Sequence, residues 1–388
     1  MAGIAMGAAA RVESGGPRAP RLLFVDNIRW SMILLVLSMH ASDTYSPFGN
    51  WYYVDRQPAG LATKLFFGIY QSFLQAFFMA LLFFVAGYFS AAACDRKGVP
   101  QFVRDRFIRL GLPTLLYMLA IGPLTQYFLS RTWGSGGFAH QWWVHLMDGE
   151  WLSETGPMWF CAVLLLFSIL YGVFRLTGWK EGAVKLRDDR WATVALFIVI
   201  MAALSFLVRI AVSDDRSVLN VHPGDLPQHI LMYAAGVLGY RGKWLTQLPD
   251  GFCLRLAALA LSLSVPLFAV LLFGGLKGDT SQFAGGFNAI SGGKCLWEAL
   301  VCVGMAFMLF ALFRRYFDSQ GPFAETFSEN AFGIYLIHPP ILIACAILLH
   351  PLPAHPIAKA ALLTALAAIG SLAASALILR RSPLRSII

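Results

Sequence analysis

The chain has 388 residues, of which 58% are hydrophobic and 13% are charged. An ordinary soluble domain carries about 25% charged residues, so this composition excludes a globular protein whose whole surface faces water. The formal net charge is +9, but Lys and Arg are divided among many short loops, which argues against a face that binds nucleic acid. We therefore predict an integral membrane protein whose solvent is the lipid bilayer.

In chain order, the apolar blocks predict an all-α integral membrane protein with a bundle of about ten transmembrane helices, because about 20 residues cross the hydrocarbon core. The predicted spans are 24–43, 66–93, 110–129, 157–176, 191–212, 227–240, 253–273, 295–313, 329–349 and 357–379. The sixth is the shortest. The Gly-rich polar stretch between 274 and 293 is predicted to be mobile.

Charge alternates from one connection to the next. The basic connections hold Arg11, Arg18, Arg21; Arg96, Lys97, Arg104, Arg106, Arg109; Lys180, Lys185, Arg187, Arg190; Arg241, Lys243; Arg314, Arg315; Arg380, Arg381 and Arg385. The intervening loops are poorer in Lys and Arg, and some are acidic. By the positive-inside rule both termini face the cytoplasm, which predicts a multi-pass protein of the inner (plasma) membrane.

Three regions are predicted along the chain. They are a flexible cytoplasmic tail over 1–21, a transmembrane domain over 22–380, and a short basic cytoplasmic tail over 381–388. No small-residue cleavage site follows the first apolar segment, so this segment is predicted to remain as an anchor. The six cysteines lack metal-ligand or disulfide spacing, and no metal site is predicted.

The first predicted span contains Arg29 and His40, eleven residues apart. On a helix this spacing is about 16 Å and three turns, so both side chains point to nearly the same face. A charge at mid-membrane costs at least ~2.5–3.5 kcal/mol, and such residues usually face the bundle interior, where they have a function. Alternatively, Arg29 extends to the headgroups and His40 lies at the outer interface.

A basic cluster precedes the third span. Arg106 and Arg109 are three residues apart and share a helix face, so they form a pair of guanidinium groups suited to phosphate. A cluster beside the membrane also serves as a headgroup contact and a topology determinant.

The ninth span contains Tyr335 and His338 on one face, followed by Pro339 and Pro340. The two prolines break the backbone hydrogen-bond ladder beside the histidine, and the freed carbonyls suit a cavity. A kinked helix with a structural histidine is the alternative.

Together these regions resemble the membrane-bound acyltransferase family 3, which O-acylates sugars and other exported molecules. The resemblance covers nearly the whole chain and rests on the order and spacing of short motifs. The motifs are Asp26 with Arg29-x10-His40, Phe83-Phe84-Val85-Ala86-Gly87-Tyr88-Phe89, Arg106-x-x-Arg109 before Leu110 and Pro113, Gly156-Pro157-Met158-Trp159-Phe160, and Gly333-Ile334-Tyr335-Leu336-Ile337-His338-Pro339. Within the family the chain looks closest to the glucan-modifying succinyltransferases of the glucans biosynthesis protein C type.

The resemblance implies a membrane O-acyltransferase that moves an acetyl or succinyl group from cytoplasmic acyl-CoA to a hydroxyl of an envelope carbohydrate. Its cofactor-binding residues would be Arg29, Arg106 and Arg109, on the side where the phosphates of acyl-CoA arrive. His40 would be the catalytic residue, either as general base or as a nucleophile that carries the acyl group.

The acceptor would be bound by Tyr335, His338 and Trp159. Aromatic residues of the outer loops offer further faces for sugar stacking, although interfacial anchoring explains them equally well. They are Trp51, Tyr52, Tyr53, Trp142 and Trp143.

One position departs from the family pattern. Many relatives carry Glu shortly after Trp-Phe of the fourth span, whereas here Trp159-Phe160 is followed by Cys161-Ala162-Val163-Leu164-Leu165. Acidic assistance would have to come from elsewhere, and Glu150 and Glu154 in the preceding outer loop are candidates.

Two other classes remain open. A transporter or flippase of a glycan or an anionic lipid-like substrate would also place Arg, His and broken helices inside the membrane. Transporters of that kind commonly have paired halves, but the residue eleven positions before His338 is Phe327 and not a second arginine. A non-catalytic sensor or scaffold would need no arginine pair. The sequence is also compatible with a homo-oligomer.

Overall fold

A computed structural model describes residues 21–129, 137–149, 155–178, 181–182, 190–214, 216–218, 220–277 and 280–379. Eleven longer helices are found in these ranges. They are α1 (Leu23–Tyr45), α2 (Leu61–Lys97), α3 (Val99–Tyr127), α4 (Gly137–Met147), α5 (Trp159–Leu176), α6 (Trp191–Ala211), α7 (Leu226–Arg241), α8 (Asp250–Lys277), α9 (Ala289–Tyr316), α10 (Pro322–Leu349) and α11 (Pro356–Ala374).

The predicted all-α membrane bundle is confirmed. Within the described part of the chain, nine helices are long and apolar enough to cross a membrane, namely all of the above except α4 and α7. Helix α7 has 16 residues, which gives a length of about 24 Å against a hydrocarbon core of about 30 Å. Whether α7 also crosses the bundle is decided by the contacts at its two ends.

Ion pairs gather several helix ends at one end of the bundle, called here the basic end. Asp95 near the end of α2 binds Arg175 at the end of α5, at 2.8 Å, and Arg241 at the end of α7. Arg314 at the end of α9 binds Asp250 at the start of α8. The start of α1 lies here as well, because the Asn27 amide donates to the Phe317 carbonyl at 2.7 Å.

The start of α7 lies at the opposite end. Asp225 immediately precedes α7 and accepts a hydrogen bond from Arg209 of α6 at 2.8 Å. Arg209 also binds Glu298, two turns into α9, at 2.5 Å. Helix α7 therefore runs through the bundle from the opposite end to the basic end. With α7 the described part of the chain makes ten passages through the bundle. Both of its ends lie toward the basic end, since Ser375 after α11 donates a hydrogen bond to Asn330 near the start of α10 at 3.0 Å.

The structure differs from the sequence prediction around the Gly-rich stretch between 274 and 293. Helix α9 begins at Ala289, six residues before the predicted span, because Asn288 caps it by accepting a hydrogen bond from the Ser291 backbone N–H at 2.9 Å. Part of the stretch predicted to be mobile is therefore helical. The predicted tails 1–21 and 381–388 lie outside the described residues except for Arg21.

Two glycines allow α2 and α7 to touch. A Cβ atom added to Gly87 of α2 would lie 2.1 Å from the Tyr233 carbonyl oxygen, and one added to Gly236 of α7 would lie 2.0 Å from the Phe84 carbonyl oxygen. Small residues permit such close approach of helices in membranes. This contact explains the glycine of the Phe-Phe-Val-Ala-Gly motif and sets the position of His229, whose ring packs on Phe83 of α2.

Candidate active site

A cavity of about 220 Å³ lies toward the end of the bundle opposite the basic end, and we call it the histidine cavity. Helices α1, α2, α5, α7 and α10 contribute to its wall. Its lining residues are Val36, Met39, His40, Asp43, Gln75, Phe78, Met79, Pro157, Trp159, Asn220, His222, Asp225, His229 and Tyr335. Thus the predicted residues His40, Trp159 and Tyr335 meet at one place.

His40 is held between aromatic rings and one carboxylate. Its imidazole stacks on Trp51 with ring centroids 3.8 Å apart and lies nearly parallel to His338 at 5.4 Å. The His40 Nδ1 atom is 3.5 Å from the Asp43 carboxylate, which also accepts a hydrogen bond from Gln71 at 2.7 Å. At this separation the two groups form no hydrogen bond, so the carboxylate acts on the imidazole through its charge alone.

The buried His338 is oriented by the proline break that follows it. Pro339 has no N–H to donate to the Tyr335 carbonyl four residues earlier, so that carbonyl is free. The His338 ring takes its place, with Nδ1 2.6 Å from the carbonyl oxygen. Since a carbonyl only accepts, Nδ1 carries the proton and Nε2 keeps a lone pair. The Nε2 atom is buried and has no hydrogen-bond partner in the described structure.

The loop that carries Trp51 is fixed by a buried ion pair. Lys359 of α11 is fully buried and binds Asp55 at 2.9 Å. The Asp55 backbone N–H also donates to the Thr44 carbonyl at the end of α1, at 2.8 Å. Through this pair the loop after α1 is tied to α11 and back to α1, which holds Trp51 against His40.

A second cavity of about 360 Å³ opens at the basic end, and we call it the basic cavity. It is lined by five cationic side chains from α1, α2 and α3 and by apolar residues deeper inside. The cations are Arg29, Arg96, Lys97, Arg106 and Arg109. All three arginines that the sequence assigned to the donor therefore share one cavity. Arg96 adds to its positive charge, whereas Lys97 is paired with Asp105, which also lines the cavity.

Arg106 and Arg109 are kept free of close carboxylates. Arg106 donates to the Ser90 hydroxyl at 3.1 Å and lies over the Phe102 ring. The acid between them in sequence, Asp105, is bound instead by Lys97. Among the described residues, none places a carboxylate within ion-pair distance of either arginine, so both guanidinium groups are available to an anion.

Tyr335 is the one described residue that lines both cavities. Its hydroxyl donates to the Pro157 carbonyl, in the turn Gly156–Met158 that precedes α5. Of the residues that follow, Trp159 faces the histidine cavity and Phe160 faces the basic cavity. The two cavities therefore lie on either side of Tyr335 and the start of α5.

The sequence matches the acyltransferase 3 family, described as an acyltransferase domain, over residues 22–380. The chain belongs to this acyltransferase family. Its relatives include the glucans biosynthesis protein C of Salmonella paratyphi B and of Salmonella enteritidis, each 24% identical over 338 residues, and that of Salmonella heidelberg at 23%. In each case 83% of this acyltransferase and 83% of the relative are covered. The search of solved structures returned no significant match.

Two residues of the candidate site were not predicted from the sequence. Asp43 is three residues after His40 and so shares its helix face. His229 is a single histidine in a short span, which carries no signal of its own. Glu150 and Glu154 lie outside the described residues. Of the outer aromatics, Trp51 contacts His40, whereas Trp142 and Trp143 belong to α4.

Proposed function

We propose that this acyltransferase moves an acetyl or succinyl group from cytoplasmic acyl-CoA to a hydroxyl group of a carbohydrate on the other side of the membrane. The observation that carries the proposal is the pair of cavities that share Tyr335 as a wall residue. One holds three predicted donor arginines, and the other holds His40. Membership of the acyltransferase family favours this reaction over transport of a glycan or lipid.

The basic cavity would bind the donor. Acyl-CoA carries several phosphates, and Arg29, Arg106 and Arg109 offer charge-assisted hydrogen bonds to them. The helices that end at the basic end carry basic residues in their last turns, namely Arg96, Lys97, Arg175, Arg241, Arg314 and Arg315. By the positive-inside rule we infer that this end faces the cytoplasm, where acyl-CoA is made. The pantetheine arm is long and thin. It has to carry the thioester over the roughly 16 Å of helix rise that separates Arg29 from His40.

In the proposed reaction His40 is the general base. Its Nε2 atom takes the proton of the acceptor hydroxyl while the hydroxyl oxygen attacks the thioester carbonyl carbon. The carbon–sulfur bond then breaks, and the coenzyme A thiolate takes the proton back from the imidazolium. Asp43 stabilises the imidazolium between these events, because its carboxylate lies next to Nδ1. This assigns to Asp43 the acidic role for which the sequence had suggested Glu150 or Glu154.

The alternative in which His40 carries the acyl group differs in its kinetics. An acyl-histidine intermediate lets donor and acceptor occupy the site in turn, which gives ping-pong kinetics. Direct transfer needs both substrates at once. Initial rates measured over a grid of both concentrations therefore separate the two: parallel reciprocal plots support the intermediate, and intersecting plots support the general base.

The acceptor would bind in the histidine cavity. His338 is fully buried and does not line this cavity; its ring lies beside that of His40, with centroids 5.4 Å apart. In the proposed reaction it therefore positions His40, and the single proton of the acceptor hydroxyl goes to His40. Trp159 contributes an apolar ring to the cavity wall, suited to the carbon face of a sugar. Since the Salmonella relatives are named for glucan biosynthesis, we infer that the acceptor is a glucan of the cell envelope.

The test is a reconstituted transfer assay. The purified chain in liposomes is supplied with isotopically labelled acetyl-CoA or succinyl-CoA and with envelope glucan, and the glucan is analysed by mass spectrometry. We expect one donor to give glucan whose mass increases by one acyl group per transfer, and protein-free liposomes to give none. Unmodified glucan with both donors, from protein that binds acyl-CoA, would contradict the proposed acceptor. Absence of acyl-CoA binding would contradict the proposed donor.

A further inference from the structure

The two cavities are separated by little protein. Tyr335 lines both of them, and its side chain is buried. On one side of it lie the cationic residues of the basic cavity, and on the other side lies His40. A thioester that reaches His40 from the basic cavity has to pass the Tyr335 ring.

The partner of Tyr335 is a rigid point in the structure. Its hydroxyl donates to the Pro157 carbonyl. The turn that contains Pro157 is held by the Gly156 N–H, which donates to the Asn220 side chain at 3.0 Å. Gly156 has a positive φ of 51°, which favours glycine, and the turn packs closely on a tyrosine, since a Cβ atom at Gly156 would lie 2.5 Å from the Tyr52 hydroxyl. The movable part of the contact is therefore the tyrosine side chain.

The backbone of Tyr335 is also held in place. Its carbonyl, freed by Pro339, is hydrogen-bonded to the His338 Nδ1 atom at 2.6 Å. The Phe160 ring meets Tyr335 edge to face, with centroids 6.4 Å apart, on the basic side. Rotation of the Tyr335 side chain would break one hydrogen bond, change its ring contacts with Phe160, Phe332 and His338, and leave the backbone unchanged.

We propose that Tyr335 is a gate: with its hydroxyl on the Pro157 carbonyl it closes the passage between the basic cavity and the histidine cavity, and the arriving acyl arm displaces it. This inference rests on the proposed function for the identity of the arm. A closed gate has a physical purpose in a membrane enzyme. It keeps water and acceptor from the thioester until the donor is fully inserted, and it prevents a continuous aqueous path through the bundle.

The gate is tested without any acyl transfer by cysteine labelling. Gln75 lines the histidine cavity and Ala86 lines the basic cavity. Each is changed separately, Gln75→Cys and Ala86→Cys, in liposomes that contain the full chain. A charged, membrane-impermeant methanethiosulfonate reagent is added from the face at which Gln75→Cys reacts, and modification of each peptide is followed by mass spectrometry.

With Tyr335 present, we expect Gln75→Cys to be modified and Ala86→Cys to be protected from that face. In Tyr335→Ala, Ala86→Cys should be modified at a rate close to that of Gln75→Cys. In Tyr335→Phe, which keeps the ring and loses one hydrogen bond, the rate should rise by about 2- to 12-fold, which corresponds to ~0.5–1.5 kcal/mol. The same reagent added from the basic end should modify Ala86→Cys in every variant.

Two results would overturn the gate. One is rapid modification of Ala86→Cys from the histidine-cavity face while Tyr335 is present, because the cavities would then be continuous. The other is continued protection of Ala86→Cys in the Tyr335→Ala background, provided that Gln75→Cys reacts and the protein unfolds thermally as they do when Tyr335 is present. Neither depends on the substrates. If no acyl transfer is found but the labelling of Ala86→Cys still depends on Tyr335, the proposed function is rejected and the gate is retained.

Discussion

The donor arginines allow a prediction with a matched control. Arg104, Arg106 and Arg109 lie within six residues on α3 and carry the same charge. Arg106 and Arg109 line the basic cavity, whereas Arg104 is exposed and is not part of its wall. Arg106→Gln and Arg109→Gln should therefore weaken donor use, and Arg104→Gln should leave it nearly unchanged.

The size of the effect follows from what each guanidinium contacts. Arg106 is bound only to the neutral Ser90 hydroxyl and lies over the Phe102 ring, so removing it leaves no described carboxylate without its partner. The loss is then that of a charge-assisted hydrogen bond to phosphate, ~1.5–3 kcal/mol. This is about a 10- to 150-fold rise in the apparent KM for acyl-CoA, with a Tm in detergent close to that of the parent.

The assay measures initial rates of transfer against acyl-CoA concentration, together with direct binding of labelled acyl-CoA. Rising salt should reduce the parent's affinity more than that of Arg106→Gln, because screening acts on the contact that the variant lacks. The reasoning is refuted if Arg104→Gln raises the KM as much as Arg106→Gln does. It is also refuted if both cavity variants bind donor normally and instead fail to insert into the membrane, which would make them topology determinants.

Three further predictions concern Asp43 beside His40, the loop that carries Trp51, and the membrane topology. Asp43→Asn should lower kcat by about tenfold or more with an unchanged KM for acyl-CoA, since it removes the charge beside the imidazolium; a change in KM alone would count against this role. Lys359→Met should lower the free energy of unfolding by at most ~3–5 kcal/mol, because the buried Asp55 loses its lysine and keeps only His350 at 3.3 Å, and the double variant with Asp55→Asn should recover most of the loss; equal Tm values for both variants would disagree. Reporter fusions after residue 180 should read cytoplasmic and those after residue 148 external, and the reverse pattern would invert the orientation.

The fold was largely predictable because a bilayer imposes length and apolarity on every span. Each predicted span corresponds to a helix of the bundle. The sixth predicted span is the shortest, and the matching helix α7 has only 16 residues, so its passage through the bundle follows from the ion pairs at its two ends. The early start of α9 was not predicted, since glycine content outweighed the Asn288 cap in the sequence pattern.

The site was predictable where residues share a helix. The eleven-residue spacing placed Arg29 and His40 along α1, and the Pro339 break indicated a freed carbonyl beside His338. Contacts between distant segments had no such signal. Trp51 meets His40 because Asp55 is bound by Lys359, 304 residues later in the chain, and no periodicity encodes that pairing.

The central claim is that His40 performs the chemical step and that the basic cavity binds the donor independently. The most direct measurement uses purified His40→Gln, which retains hydrogen bonding but cannot serve as a base at neutral pH. Labelled acyl-CoA binding and transfer to glucan are measured on the same preparation. We predict donor binding within about twofold of the parent and transfer reduced by at least about 10²-fold, the lower range for general acid–base catalysis. Transfer near the parent rate would contradict the account and direct attention to His338.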